Sequence, residues 1–132
     1  MAERPSWDDY FLAIARSVAA RADCTRRMVG AVLVDQHHRI LATGYNGSPA
    51  GAPGCLTDGA CPRGQQGLDA VPPGSSYDTG PASCIAVHAE ANALLRADGH
   101  LARGATLYCT DEPCDGCRRL IEGAGVARVV HA

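Results

Sequence analysis

The sequence predicts an α/β domain in which helices pack in layers against a β-sheet. Three observations support this prediction. Helical and strand patterns alternate along most of the chain. Its 132 residues match the size of one domain, and 46% apolar with 20% charged residues is usual for a globular protein. We therefore expect a single domain over residues 1–132 with one hydrophobic core.

The first half of the chain contains one predicted helix and two predicted strands. Ser6 is a typical helix N-cap, and the acidic residues behind it suit the positive end of a helix. The β-branched segments 28–34 and 39–45 predict two strands, and the polar residues 35–38, including two histidines, predict a solvated hairpin turn. The apolar face of the helix is formed by residues at helical spacing, namely Trp7, Phe11, Ile14, Ala15 and Val18.

The second half begins with a long segment that shows no periodicity. Residues 46–82 are rich in Gly, Pro and Ser, which is typical of a functional loop when it occurs inside a compact domain. The alternation then resumes with a predicted helix over 87–97, a strand over 105–110, a helix over 114–122 and a strand over 127–131. The sequence therefore predicts a layered α/β domain interrupted by one loop.

The most informative motif combines residues 88–90 (His-Ala-Glu) with residues 113–117 (Pro-Cys-Asp-Gly-Cys). A catalytic zinc typically keeps three imidazole, thiolate or carboxylate ligands and leaves its fourth position to water. His88, Cys114 and Cys117 meet that requirement. Both thiolates can point at one metal because residues three apart share a helix face. Glu90 is placed to handle the protons of the water, so we predict a catalytic Zn²⁺ site with Glu90 as its acid and base.

A purely structural zinc in a binding module is the alternative explanation of the motif. A structural site is closed by a fourth protein ligand. Here the remaining polar residue is a glutamate two positions after the histidine, which favours catalysis.

Composition excludes several other classes of function. The net charge of −2 argues against a nucleic-acid partner, since such domains are usually basic. No run of about 18 apolar residues is present, so we expect no membrane-spanning helix, and the N-terminal residues show no secretory signal. Seven cysteines, an odd number, indicate reduced thiols rather than a disulfide framework. We therefore expect a cytoplasmic location.

The chain resembles the deoxycytidylate (dCMP) deaminase family of the cytidine deaminase-like superfamily. The pattern H-x-E…P-C-x-x-C is the signature of zinc nucleobase deaminases. Residues 43–49 (Thr-Gly-Tyr-Asn-Gly-Ser-Pro) and 88–93 (His-Ala-Glu-Ala-Asn-Ala) narrow the resemblance to the dCMP deaminases, and segments 7–12 and 24–32 extend it over nearly the whole chain. The resemblance implies a three-layer α/β/α fold with a mixed central sheet, conversion of dCMP to dUMP and ammonia, and a homo-oligomer.

The resemblance also implies how a pyrimidine nucleotide substrate is bound. Asn46 matches an asparagine that holds the sugar, and backbone groups near Ala89 and Cys114 match those that hold the edge of the pyrimidine. The candidates for the phosphate are Arg26, Arg27, Ser48 and Arg96.

Two departures from the family pattern concern substrate and assembly. The family commonly has a histidine before the residue that is Cys55 here, whereas this chain has Gly54. Members also continue past the last predicted strand with an aromatic residue, a helix and a strand, whereas this sequence has His131 and ends at Ala132. We therefore expect a C-terminally shortened fold. A free (deoxy)cytidine or another aminated heterocycle stays an alternative substrate. A tRNA adenosine deaminase, suggested by Glu112-Pro113-Cys114, is less favoured because the chain is acidic.

Four cysteines lie outside the motif and have no assigned role: Cys24, Cys55, Cys61 and Cys84. Four thiolates around one zinc make a closed structural site, and a metal clip would stabilise a long loop with little apolar content. Some dCMP deaminases carry a second, structural zinc that is coordinated by residues in these regions. The sequence leaves two alternatives, a second Zn²⁺ or four separate reduced thiols. The remaining cysteine of the seven is Cys109, which we expect in the hydrophobic core.

Overall fold

The structure is a computed structural model that describes residues 3–65, 76, 80 and 83–132. The part of the long loop at residues 66–75, 77–79 and 81–82 lies outside the described residues. The helices and strands of the described part are, in chain order, α1 (Trp7–Ala19), β1 (Gly30–Val34), β2 (Ile40–Tyr45), α2 (Pro62–Gln65), α3 (Ala89–Arg96), α4 (Gly99–Ala102), β3 (Thr106–Cys109), α5 (Asp115–Gly123) and β4 (Arg128–His131).

The four strands form one mixed sheet in the order β2-β1-β3-β4. Strand β1 pairs antiparallel with β2 and with β3, and β4 pairs parallel with β3. Ala31 of β1 lies opposite Cys109 of β3. The start of β1 and the end of β3 therefore share one end of the sheet.

Helices cover both faces of the sheet because successive strand residues point to opposite sides. Helix α1 packs on one face, where Phe11 and Ala15 contact a cluster that includes Val32. Helices α3 and α5 pack on the other face through residues such as Ala93 and Ile121. This is the three-layer α/β/α arrangement with a mixed sheet that the sequence predicted.

Two glycines allow the helices to approach the strands closely. A Cβ at Gly30 would lie 2.0 Å from the carbonyl oxygen of Ala15 in α1. A Cβ at Gly44 would lie 2.3 Å from the carbonyl oxygen of Ala89 in α3. The backbone of α3 therefore rests directly on β2, and this contact fixes the start of α3 at the end of the sheet.

Several boundaries differ from the sequence predictions. Strand β1 begins at Gly30 rather than at residue 28, and Met28 is exposed. The two short helices α2 and α4 were not predicted, since four residues are too few to show a helical period. Trp7 does not join the buried face of α1; it is 53% exposed and stacks on His38 of the hairpin turn with ring centroids 4.1 Å apart. Ser6 caps α1 as predicted.

Candidate active site

Two helix N-termini meet at one end of the sheet, on the face covered by α3 and α5. His88 is the N-cap of α3 and Cys114 is the N-cap of α5, so each precedes the first helical turn in which the sequence analysis placed it. The Sγ atom of Cys114 accepts a hydrogen bond from the backbone N–H of Cys117 at 3.5 Å, as a capping side chain does. Buried Pro113 stands before this cap and leads the chain into α5.

His88, Cys114 and Cys117 form what we call the His–Cys–Cys group. The Nδ1 atom of His88 lies 3.5 Å from Sγ of Cys114 and 3.3 Å from Sγ of Cys117. Tetrahedral zinc with Zn–S near 2.3 Å and Zn–N near 2.0–2.1 Å requires S···N separations of about 3.5 Å. Within residues 3–65, 76, 80 and 83–132 this is the only set of three or more potential ligands whose atoms lie within 4.8 Å of one another. The donor set and its spacing therefore fit Zn²⁺.

Glu90 lies beside this group without being part of it. It is only 4% exposed, in the first turn of α3. Its carboxylate neighbours the thiols of Cys109 and Cys117, and burial together with this carboxylate raises the pKa of both thiols. Binding of a metal at Cys117 must therefore release a proton. A buried carboxylate next to the open side of the group, where His88 and Cys114 are exposed, is available for proton transfer.

Asn46 follows the end of β2, and its side chain is bound to the backbone before β1. Its Oδ1 accepts from the backbone N–H of Val29 at 2.9 Å, and its Nδ2 donates to the carbonyl of Arg27 at 3.0 Å. The residue is 8% exposed. Asn46 thus stabilises the turn that leads into β1, which is a role that the sequence did not indicate. Its Oδ1 can accept one more hydrogen bond, and its Nδ2 can donate one more.

A backbone bridge joins the Asn46 segment to the His88 segment. Gly47 and Val87 exchange two hydrogen bonds of 3.2 and 2.7 Å. Asn92 of α3 adds a side-chain bond from Nδ2 to the carbonyl of Tyr45 at 2.8 Å. Asn92 belongs to the motif at residues 88–93, but the sequence assigns it no role, because no local pattern marks a bond to a residue 47 positions away.

The other predicted substrate residues are distributed unevenly. Ala89 is buried directly after His88, and Ser48 is half-buried beside Cys55. Arg26 is exposed, and Arg27 forms an ion pair with Asp111.

The fourth phosphate candidate, Arg96, lies at the opposite end of α3 from His88. The rise of an α-helix puts it about 12 Å away along the axis. The structure therefore does not bring Arg96 to the His–Cys–Cys group.

Four of the five other cysteines lie outside helices and strands, and we call them the loop cysteines: Cys24, Cys55, Cys61 and Cys84. Cys55 is 1% exposed, and burial raises the pKa of its thiol, with smaller upward effects from the neighbouring Cys61 and Cys24 thiols. In the described part of the chain the loop cysteines do not form a set of three ligand atoms within 4.8 Å.

Asp23 holds the segment around Cys55 in place. Its carboxylate accepts from the backbone N–H groups of Leu56 and Thr57 at 2.7 and 3.0 Å, and from the Thr57 hydroxyl at 2.9 Å. A Cβ at Gly54 would lie 2.0 Å from Oδ2 of Asp23. A side chain at position 54 would therefore collide with Asp23 while those bonds are in place.

Comparisons with known proteins agree with this geometry. The family described as "Cytidine and deoxycytidylate deaminase zinc-binding region" matches residues 5–132. A deoxycytidylate deaminase of Mycobacterium phage D29 is 55% identical over 128 residues, covering 97% of this chain and 95% of the phage protein. The Schizosaccharomyces pombe deoxycytidylate deaminase is 43% identical over 129 residues, covering 97% of this chain but 37% of the yeast protein. The chain thus spans little more than a third of that longer relative.

Solved structures show the same fold. The dCMP deaminase of cyanophage S-TIM5, in complex with dCMP and dUMP, superposes with a TM-score of 0.70 at 28% identity, covering 98% of this chain and 83% of that one. A cytidine deaminase from Mycobacterium tuberculosis superposes with a TM-score of 0.54 at 17% identity, covering 98% of this chain and 85% of that one. At that identity the second likeness concerns the fold alone.

Proposed function

The chain belongs to the family of zinc-binding cytidine and deoxycytidylate deaminases, and we propose that it deaminates dCMP to dUMP and ammonia. The observation that carries the proposal is the His–Cys–Cys group next to a buried Glu90, at the ends of two helices. The relatives named above support dCMP as the substrate.

His88, Cys114 and Cys117 would hold one catalytic Zn²⁺ per chain. Their N/S donor set and their S···N separations, given above, suit tetrahedral zinc with a fourth position left for solvent. Zinc bound there supplies hydroxide near neutral pH by lowering the pKa of water. The three ligands lie at helix N-termini, and a bound metal would have to displace the proton that burial and Glu90 favour on Cys117.

Glu90 carries the proton transfers. Its carboxylate accepts the proton that water gives up and delivers it to the ring nitrogen as the oxygen adds to the amine-bearing carbon. The proton that remains on the added oxygen then passes through Glu90 to the amine, the carbon–nitrogen bond breaks, and ammonia leaves while the oxygen becomes the ring carbonyl. Burial of Glu90 keeps bulk water away from this route.

The pyrimidine and sugar bind between the two segments that flank the His–Cys–Cys group. We propose that the backbone at Ala89 contacts the ring and that Asn46 contacts the sugar with its remaining hydrogen-bonding capacity. Ser48 follows Asn46 by two residues, and Arg26 precedes Arg27, whose carbonyl accepts a hydrogen bond from Asn46, so we propose both for the phosphate. Direct phosphate contacts explain preference for a nucleotide over a nucleoside.

A second, structural zinc at the loop cysteines is part of the proposal. Cys55 is buried, and the thiols of Cys61 and Cys24 are near enough to raise its pKa, although no three loop cysteines reach metal-ligand spacing among the described residues. Cys84 would have to complete the set. A closed four-thiolate site would tie the loop to the rest of the domain.

We also propose one domain over residues 1–132, a homo-oligomer and a reducing, cytoplasmic compartment. Exposed leucines on α3, α4 and α5 support an interface: Leu95, Leu101 and Leu120. Free cysteines fit a reducing compartment. In the described residues no helix has the length and apolar character needed to cross a membrane.

Ammonia release from a panel of substrates tests the proposed activity. The panel contains dCMP, deoxycytidine, cytidine and a tRNA anticodon loop. We expect the highest kcat/KM for dCMP. A kcat/KM for deoxycytidine equal to or above that for dCMP would contradict the role of the phosphate, and activity on the RNA alone would identify an adenosine deaminase instead.

A further inference from the structure

The segment that carries Asn46 and the segment that carries His88 are far apart in sequence but run side by side. The backbone bridge between Gly47 and Val87 joins them. Asn46 directly precedes Gly47, and His88 directly follows Val87, so each bridge residue adjoins a residue of the proposed site. The relative position of these two segments therefore sets where the sugar lies with respect to the reacting ring.

Asn92 contacts both segments from one turn inside α3. Its Nδ2 donates to the carbonyl of Tyr45 at 2.8 Å and to the carbonyl of Val87 at 3.4 Å. Its backbone N–H donates to the carbonyl of His88 at 2.9 Å. Asn92 thus donates hydrogen bonds to the carbonyls of Tyr45, Val87 and His88. The first precedes Asn46 in the chain, and the second precedes His88.

The surroundings of Asn92 leave its side chain little freedom. A Cβ at Gly44 would lie 3.0 Å from Cβ of Asn92, since α3 rests on β2 at this point. The half-buried amide therefore points along β2 toward the end of the strand. The loss of its two N–H donors would leave two carbonyls without these bonds, and neither Ala nor a branched apolar residue replaces them.

We propose that Asn92 is a positioning residue that holds the sugar-binding segment 45–47 in register with the His–Cys–Cys group. This inference rests on the proposed function, because the register matters only if a nucleoside or nucleotide bridges the two segments. Asn92 itself touches neither the reacting atoms nor the metal ligands' side chains. It acts through the backbone of its neighbours.

The contacts also predict which kinetic constant changes. The shorter bond of Asn92, 2.8 Å, goes to Tyr45 on the Asn46 side, and the longer one, 3.4 Å, goes to Val87 on the His88 side, where the start of α3 also holds the backbone. Removal of the amide should therefore displace the sugar-binding segment more than the reacting groups. Substrate binding is weakened, and the chemical step is largely spared.

The test compares Asn92→Ala with wild type in the zinc-loaded enzyme. We expect KM for dCMP to rise about tenfold, the effect of one lost hydrogen bond, while kcat stays within about threefold and zinc per chain is unchanged. Amide hydrogen exchange at Gly47 and Val87 should become about tenfold faster, which can be measured without any substrate. Asn92→Ser is the second variant if the alanine variant does not accumulate, and the same criteria apply to it.

Ser6→Ala is the matched control because Ser6 caps α1 and is not part of the proposed site. The loss of a helix cap lowers stability by about as much as the loss of one hydrogen bond. It should lower Tm comparably while KM stays at the wild-type value. An unchanged KM in Asn92→Ala, or a kcat that falls as much as KM rises, overturns the inference. If wild type itself does not turn over dCMP, the proposed function fails, whereas faster exchange at Gly47 and Val87 would still support the structural link.

Discussion

The His–Cys–Cys group and the loop cysteines contain the same ligand chemistry but are held in different ways. Cys114 and Cys117 lie at the start of α5, which packs on the sheet through Ile121, and His88 lies at the start of α3. The loop cysteines lie on irregular segments. The segment that follows Cys55 is held by the carboxylate of Asp23.

Packed helices hold potential ligands at metal distance in the described part of this domain, and the irregular segments that carry the loop cysteines do not. The three atoms of the His–Cys–Cys group are within 4.8 Å of one another, a spacing that the loop cysteines do not reach among the described residues. Helix ends are fixed by burial of the helix face, whereas a loop position depends on a few hydrogen bonds. We therefore expect changes at the first site to affect chemistry and changes at the second to affect stability.

The largest contrast should appear when one thiol is removed from each site. Cys117→Ala should lose the catalytic zinc and with it turnover, because two remaining ligands do not hold the metal. Cys55→Ala should keep turnover but lower Tm, and zinc should fall from two ions per chain to one. Elemental analysis and ammonia release on the same preparations measure both effects. Full activity in a zinc-free preparation would contradict the catalytic site, and one zinc in fresh, reduced wild type would contradict the structural one.

The next largest effect concerns Glu90, the residue that distinguishes the first site from a structural one. Glu90→Gln keeps the size of the side chain but removes the proton acceptor, so kcat should fall by about 10²–10⁴-fold. Zinc content and Tm should stay close to wild type. Glu122→Gln, an exposed change on α5, is the control and should leave kcat unaltered. Retention of a tenth of wild-type turnover would show that another group transfers the protons.

Sequence alone was sufficient for the parts of the site that depend on local spacing. The grouping of His88, Cys114 and Cys117 could be predicted because residues three apart share a helix face and because the motif resembles that of zinc deaminases. Their role as zinc ligands and that of Glu90 as acid and base stay predictions. The place of His88 and Cys114 at N-caps rather than inside the first turn was missed, since a cap differs from a helical residue only in its backbone angles. The layers of the fold were also predictable, from the alternation of periods.

The rest could not be predicted because it depends on contacts between distant segments. Asn92 binds Tyr45, and Asp23 binds Thr57, across 47 and 34 positions of sequence. No local pattern marks such bonds. The arrangement of the loop cysteines was left open for the same reason, because the loop that carries two of them has no periodicity.

Gly54 offers a smaller test of how the loop is held. Gly54→Ala places a methyl group against Oδ2 of Asp23, whose bonds to Leu56 and Thr57 would have to shift. We expect Tm to fall by about 3–8 °C, the change caused by loss of one ordinary interaction in a domain of this size. Gly123→Ala is the control, since nothing lies within 4 Å of a Cβ there and alanine is the better helix former. Thermal melts of both variants and of Asp23→Ala measure the effect. An unchanged Tm in Gly54→Ala would mean that Asp23 does not fix this segment.

The smallest expected effect lies at the end of the sheet away from both cysteine sites, where α1 is tied to β3 and β4. Asp8 accepts from Tyr108 at 2.8 Å and pairs with both terminal nitrogens of Arg128 at 2.9 and 2.6 Å. These bonds hold the pKa of Asp8 below its ordinary value near 3.8, and the hydrogen bond from Arg128 has the largest effect. The lowered pKa means that the ionised carboxylate stabilises the folded state above about pH 4, and that this contribution is lost as the pH falls through the folded pKa.

Asp8→Asn should therefore lower the free energy of unfolding at pH 7 by no more than about 1 kcal/mol, because both partners are partly exposed and solvent screens the pair. The difference between wild type and variant should stay constant from pH 7 to pH 5 and shrink below pH 4, where Asp8 of the wild type becomes protonated. Urea unfolding across this pH range measures it, and kcat and KM for dCMP should not change. A difference that persists undiminished below the folded pKa would show that Asp8 acts through its shape and its helix position rather than through its charge.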